Sequence, residues 1–338
     1  MSLQIRFLCQ DDLIQAGVLD MKAAIDDVER AFGWLDAGDV TEVPLTPLYF
    51  DGETRRRRIT MHPSWVRGTV GRAGIKWKGS NLDNPARGLP RATALQILSD
   101  PETGHPLAVM EASLLSAVRT GAVTGVGLRH LARRDARRLG LIGAGPISRA
   151  QLLAARTELP DATDIRLFEI VEGRARSFAE WAKAELSVSV EVVSSAEDAV
   201  ARADAVLPAT TVRPEGAYIP PEWIAEGAFL GNISHNDYKP ETILAADKVI
   251  IDTERSLQLQ TVLGRMVKEG KFSRKGVEAF IGEVVNGRPG RNSDSEVIFF
   301  SCLGVAGLDV TIADRLLRAA EAKGLGEVLT MWEEPLWV

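Results

Sequence analysis

The stretch LGLIGAGPIS, residues 139–148, runs from apolar residues into a glycine turn, the arrangement that brings backbone N–H groups against a pyrophosphate. Gly143 permits a tight turn, and Gly145, lacking a β-carbon, lets a phosphate approach the backbone. Pro146 and Ile147 then open an amphipathic helix, ISRAQLLAARTEL, while Ser148 stands where a third glycine is usual. A following apolar run, DIRLFEI, ends in Glu169, placed to accept hydrogen bonds from an adenosine ribose. An acid there repels a 2′-phosphate and favours NAD, although the nearby Arg174 keeps NADP open. The alternative is an ordinary strand-to-helix turn carrying a surface carboxylate.

The segment before this loop places cations in an otherwise packed pattern: Lys76 and Lys78 in one strand, Arg91 at the start of another, and Arg119 in the small-residue helix SAVRTGAV. Strand alternation puts Lys76 and Lys78 on one face. Buried cations need anionic partners, and few acids stand nearby in sequence, so a substrate carboxylate is expected. For Arg119 the choices are a substrate carboxylate, a cofactor phosphate or an internal salt bridge. The run Arg55 to Arg58 lies beside DGE and reads as a solvated hairpin turn.

The elements that must carry these residues follow from periodicity. Residues 12–37 have helical spacing, with Asp20 as a cap and an end near Gly38. VPLTPLYFDG, RRRRITMHPSWV, GRAGIKWKGS and ATALQILSDPETGHPLAVME are short β-rich runs between turns, DPETGHP being a hairpin turn, and imply an open sheet. A long small-residue helix is expected between Glu111 and Arg134. Strands and helices then alternate to about residue 295, with LGLIGAG, DIRLFEI, VEVVSS, ADAVLPAT, AFLGNIS and KVIID as parallel strands buried on both faces. The segment beginning FFSCLGVAGLDVTIADRLLRAAEAKGLG reads as a return to helix.

Composition agrees with a soluble two-domain chain: 338 residues, 45% hydrophobic and 25% charged. A net charge of −6 offers no general attraction for nucleic acid or an anionic membrane. No apolar run approaches the roughly 18 residues of a membrane span, and MSLQIRFLCQDDL lacks signal-peptide character, so a cytoplasmic location is expected. Cys9 and Cys302 lack paired spacing; no metal site is expected, and both read as small buried hydrophobes.

Several ordered blocks resemble the ornithine cyclodeaminase and mu-crystallin family: GIKWKGSNLDNPARGLPRATALQILSDPETGHPLAVMEASLLSAVRTGAV, LGLIGAGPIS, GAFLGNISHNDYKPET, GEVVNGRPGR and CLGVAGLDVTIADRLLRAA. The resemblance spans nearly the whole chain. It implies an α/β fold with a Rossmann-type doubly wound NAD-binding domain, residues 117–300. An α+β substrate and dimerisation domain would form from residues 1–116 and 301–338, with the active site in the cleft between domains of a homodimer. Residue by residue, it implies that Lys76 is an active-site lysine, Arg119 a carboxylate-binding arginine and Asp237 the catalytic acid. Lys78 and Arg91 join the substrate site, and Thr120, Thr210 and His235 join Gly143, Gly145, Pro146, Ile147 and Glu169 at the cofactor.

Asp237 follows a buried strand at the end of a parallel sheet, where ligands bind and a carboxylate can move protons on a substrate nitrogen; its other reading is a cap for the helix KPETIL. His235 is open to a contact with the nicotinamide end or water, or to a structural hydrogen bond. His62 departs from the small residues expected in its block.

Within the family, the sequence looks most like the enzymes that oxidatively split N-(2-amino-2-carboxyethyl)-L-glutamate into 2,3-diaminopropionate and 2-oxoglutarate. Arg91 would pair with a glutamate side-chain carboxylate and repel an ornithine ammonium. A further basic residue usual near VPLTPLYF is absent, Thr46 or its neighbours standing there, and the nearby Arg57 and Arg58 are the candidates to take its place. The other readings are a cyclodeaminase with catalytic NAD, a ketimine reductase, an alanine dehydrogenase, and a non-catalytic NAD(P)H-binding protein.

Overall fold

The computed structural model describes residues 2–52 and 56–337. The chain divides into two compact units, residues 1–119 with 305–338, and residues 120–304.

The first unit contains β1 (Leu3–Leu8), α1 (Gln10–Gln15), α2 (Met21–Asp36), β2 (Val40–Glu42), β3 (Thr46–Tyr49), β4 (Arg57–Val66), β5 (Arg72–Asn81), β6 (Ala92–Ser99) and β7 (Pro106–Glu111). Asp20 caps α2 by accepting from the Ala23 N–H, and Gly38 ends it at φ +83°, as their residue types require. The DPETGHP segment closes the β6–β7 hairpin through a bond from the Asp100 N–H to the His105 carbonyl. The helix α3 spans Ser113–Leu131.

In the second unit a parallel sheet is built from β8 (Arg138–Ile142), β9 (Asp164–Phe168), β10 (Glu191–Val192), β11 (Ala205–Pro208), β12 (Phe229–Asn232), β13 (Lys248–Ile251), β14 (Ala279–Phe280) and β15 (Ile298–Ser301). Its helices are α4 (Pro146–Glu158), α5 (Glu172–Leu186), α6 (Ala196–Val200), α7 (Pro240–Ala245), α8 (Val262–Lys268) and α9 (Ile281–Val285). The chain then returns to the first unit as α10 (Ala306–Lys323) and β16 (Glu327–Trp332).

The second sheet has the order β10-β9-β8-β11-β12-β15-β13-β14. Strand order reverses between β8 and β11, so the loops after those two strands flank the crevice where open α/β sheets bind ligands. All six expected parallel strands are present, but β15 is a correction to the expected helix. Ile298–Ser301 is buried throughout and pairs with β12 and β13. A strand covered on both faces shows no alternation, and its apolar run is indistinguishable from a buried helix by periodicity.

The first sheet runs β16-β1-β7-β6-β5-β4-β2, with β3 also on β4. Helix α10 packs on β2, β4, β5 and β6, covering one face. Trp65, Trp77, Leu95 and Phe7 lie on the other face and remain 38%, 43%, 43% and 37% exposed. The exposed strand β16 was not expected; its place comes from antiparallel pairing with β1, which no local pattern announces.

Two smaller expectations are corrected. Cys9 is exposed at the start of α1, whereas Cys302 is buried with its Sγ 3.2 Å from Asp252 Oδ2. Arg57 and Arg58 belong to β4 rather than to a turn, because the β3–β4 pairing extends to Tyr49 opposite Arg58; Arg55 lies outside the described residues. Among the described residues, no helix is long and apolar enough to cross a membrane.

Candidate functional site

Lys76 sits in β5 directly opposite His62 of β4 and Gln96 of β6. Its ammonium is fully buried, 2.7 Å from Asp309 Oδ2 and 3.4 Å from Ser116 Oγ. Arg119 donates through Nε to the other oxygen of the same carboxylate, Asp309 Oδ1, at 3.1 Å. Asp309 comes from the buried side of α10 and thus supplies the internal partner that the sequence reading had missed. The terminal nitrogens of Arg119 have no hydrogen bond among the described residues, so a second carboxylate can still be bound there.

Burial pushes Lys76 down to about 8 against the pull of Asp309, while the Arg119 and Lys76 charges overcome burial and hold Asp309 at about 2. His62 is pushed down to about 3 by burial and by Lys76, so it stands neutral beside the ammonium. Lys78, two residues along the same face, falls to about 7 through burial and the neighbouring charges of Lys76, Arg91 and Arg119. Arg91 reaches back to Ser80, its Nη1 lying 3.5 Å from Oγ.

In the second unit the glycine turn follows β8 as expected. Gly143 has φ +91°, and a β-carbon there would stand 2.8 Å from the Ala209 carbonyl oxygen, so the position admits little but glycine. Gly145 is the N-cap of α4, with Pro146 in the first turn and no side chain capping the helix; space is open where its β-carbon would be. Ser148 is wholly buried and its Oγ has no partner among the described residues, so the third position is occupied by a small residue that packs inward. Gly121 of α3 meets Ala150 of α4 so closely that a β-carbon would fall 2.5 Å from its backbone, and the buried Thr120 precedes this contact. Glu169 accepts from the Ala144 N–H at 2.9 Å and from the Val171 N–H at 3.0 Å, which fixes its carboxylate against the glycine turn. An uncapped helix N-terminus, an open glycine position and a fixed acid at the next strand fit a dinucleotide.

Asp237 is fully buried beyond β12. It is not a helix cap: α7 begins after Lys239, and the carboxylate instead accepts from Thr210, Tyr218 and Ser234. Burial raises its pKa, and the three hydroxyl donors hold back part of that rise. Thr210, expected at the cofactor, is thus bonded to the acid. Tyr218 and Ser234 were not foreseen; Tyr218 is distant in sequence from Asp237, whereas Ser234 in the quoted SHND stretch was a visible signal. His235 is half-buried with φ +76°, a conformation that costs a non-glycine residue energy.

Fold and glycine turn together define the Rossmann class of nucleotide-binding domains. Residues 12–324 match the ornithine cyclodeaminase/mu-crystallin family, and the chain belongs to it. It is 32% identical to N-((2S)-2-amino-2-carboxyethyl)-L-glutamate dehydrogenase of Staphylococcus aureus strain NCTC 8325 / PS 47, over 98% of this chain and 100% of that one. Among solved structures it is similar to Δ1-pyrroline-2-carboxylate reductase of Thermococcus litoralis, solved with NADH and L-proline, at TM-score 0.88 and 29% identity, covering 96% of this chain and 99% of that one. An archaeal alanine dehydrogenase dimer with bound NAD also matches at TM-score 0.88 and 29% identity, covering 98% and 100%.

Proposed function

We propose that this chain oxidises the C–N bond of an N-substituted glutamate, with N-(2-amino-2-carboxyethyl)-L-glutamate as substrate and 2,3-diaminopropionate and 2-oxoglutarate as products. It is an NAD-dependent oxidoreductase acting on CH–NH bonds, and the S. aureus relative supports this substrate. The observation that carries the reading is the surplus of positive charge on one face of β5. Asp309 serves both Lys76 and Arg119, while Lys78 and Arg91 have no acidic partner among the described residues. A substrate with several carboxylates supplies that charge, whereas an ornithine ammonium would meet repulsion.

Gly143, Gly145, Pro146, Ile147 and Glu169 would hold NAD+, with Thr120 beside them, and the bound nicotinamide supplies the acceptor for hydride from the glutamyl α-carbon. Lys76 and the free end of Arg119 hold the α-carboxylate, and Lys78 with Arg91 holds a more distant one. Asp237 takes the proton from the secondary amine as the C–N single bond becomes C=N. It then aligns a water on the imine carbon, and the resulting carbinolamine releases the free amine and leaves a carbonyl. One water is consumed, and the amine proton passes from Asp237 to solvent. Thr210, Tyr218 and Ser234 orient the carboxylate, whose raised pKa suits a group that takes and returns a proton.

The exposed apolar face of the first sheet, with Trp65, Trp77, Leu95 and Phe7, supports a homodimer in which a second copy covers it.

The test is absorbance at the NADH band with excess NAD+ and stoichiometric N-(2-amino-2-carboxyethyl)-L-glutamate, ornithine or alanine, with ammonia assayed in parallel. One NADH per glutamate adduct without ammonia is expected. Ammonia from ornithine without accumulated NADH would instead establish a cyclodeaminase, and NADH from alanine alone would establish an alanine dehydrogenase.

A further inference from the structure

The cationic face of β5 continues past Lys78. In the antiparallel register of β4 with β5, His62 lies opposite Lys76, Thr60 opposite Lys78 and Arg58 opposite Ser80. Directly paired residues share a face, so Arg58 stands on the same face as the two lysines, and Arg57 on the other. This resolves the direction of the arginine run. Arg57 is exposed with its Nε 3.8 Å from Asp51, whereas Arg58 is half-buried and has neither an ion pair nor a side-chain hydrogen bond among the described residues.

Ser80 is also the residue that Arg91, just before β6, approaches, so Arg58 and Arg91 flank the same position of β5. Burial lowers the pKa of Arg91, and the neighbouring charge of Arg58 lowers it further. Among the described residues, the carboxylates bonded along this face toward its other end are already engaged: Asp309 is bonded to Lys76 and Arg119, Asp314 pairs with Arg72, and Glu42 accepts from Ser64 and from the Ala306 and Gly307 N–H groups of α10. Two guanidinium groups and an ammonium, none of them ion-paired among the described residues, are stabilised together when an anion is supplied.

We propose that Arg58 and Arg91, flanking Ser80, form a second anion subsite that takes the substrate carboxylate remote from the reacting C–N bond, with Arg58 as the specificity-determining residue. This rests on the reading that Lys76 and Arg119 hold the α-carboxylate. The substrates selected are amino acids with at least one further carboxylate. A monocarboxylic amino acid leaves the subsite unmatched.

The experiment titrates the NADH-saturated protein by calorimetry with 2-oxoglutarate and with 2-oxopentanoate, which carries a methyl group in place of the distal carboxylate. R58Q should weaken 2-oxoglutarate binding by about 10- to 100-fold, the range of a charge-assisted hydrogen bond, and leave 2-oxopentanoate within about twofold. R57Q should change neither. R58K, which keeps the charge but not the forked geometry, should fall between wild type and R58Q, and it carries the test if R58Q does not fold.

Equal weakening of both ligands, or of neither, overturns the subsite. The two proposals fail separately: Arg58-dependent preference for 2-oxoglutarate without NADH from the glutamate adduct removes the proposed reaction and leaves the subsite. Turnover of the adduct with an unchanged KM in R58Q does the reverse.

Discussion

Asp309 joins two cations, and its own state shows what that arrangement is worth. Its pKa of about 2 lies below the unfolded value of about 3.9, so its contribution to stability is present above pH 4 or so and is lost as pH falls through about 2. Lys76 has the opposite linkage: with its pKa lowered to about 8, it disfavours the folded state while protonated, and that penalty fades as pH rises above 8. Removing the shared carboxylate leaves two buried positive charges together. Asp309→Asn is therefore expected to cost roughly 3–5 kcal/mol at pH 7 in urea unfolding, with the difference from wild type shrinking toward pH 2. A loss below about 1 kcal/mol at pH 7 would mean that Asp309 is not the counter-ion of this pair. The acid stood in plain view in GLDVTIADRLL, and an aspartate on the buried side of an apolar helix calls for a cation. Which cation it meets was hidden, because Lys76 and Asp309 are separated by 233 positions.

At the scale of elements, the strand-turn-helix unit of β8 and α4 was legible because each of its requirements is local. Gly143 adopts a left-handed conformation, and Pro146 begins a helix where its missing N–H is not needed. Gly143→Ala adds both backbone strain and a contact with the Ala209 carbonyl, and is expected to weaken NADH binding at least about tenfold in a fluorescence titration while leaving far-ultraviolet circular dichroism unchanged. Undiminished affinity would place the dinucleotide elsewhere. The β15 strand was not legible for a complementary reason. It is the last strand of the second unit in sequence yet lies in the sheet interior, and its apolar residues carry no face to read.

For the whole molecule, the first sheet has one face under α10 and one face rich in large exposed apolar side chains. Large exposed apolar faces are uncommon on monomers, and the proposed homodimer would use this surface. For the proposed homodimer, Trp77→Glu is expected to shift sedimentation from dimer to monomer with the secondary structure intact; a wild-type monomer would overturn the homodimer, and a dimer that persists in the variant would assign the contact to another surface.

The family, the alternating α/β order, the glycine turn with its acid, and the common face of Lys76 and Lys78 are all readable from the chain alone. These follow from periodicities and turn chemistry that act over a few residues. That Lys76 and Arg119 share Asp309, that Thr210, Tyr218 and Ser234 enclose Asp237, and that Arg58 rather than Arg57 joins the cationic face came from the folded chain. Those outcomes depend on strand register and on contacts between distant segments, where a shift of one residue sends every side chain to the other face.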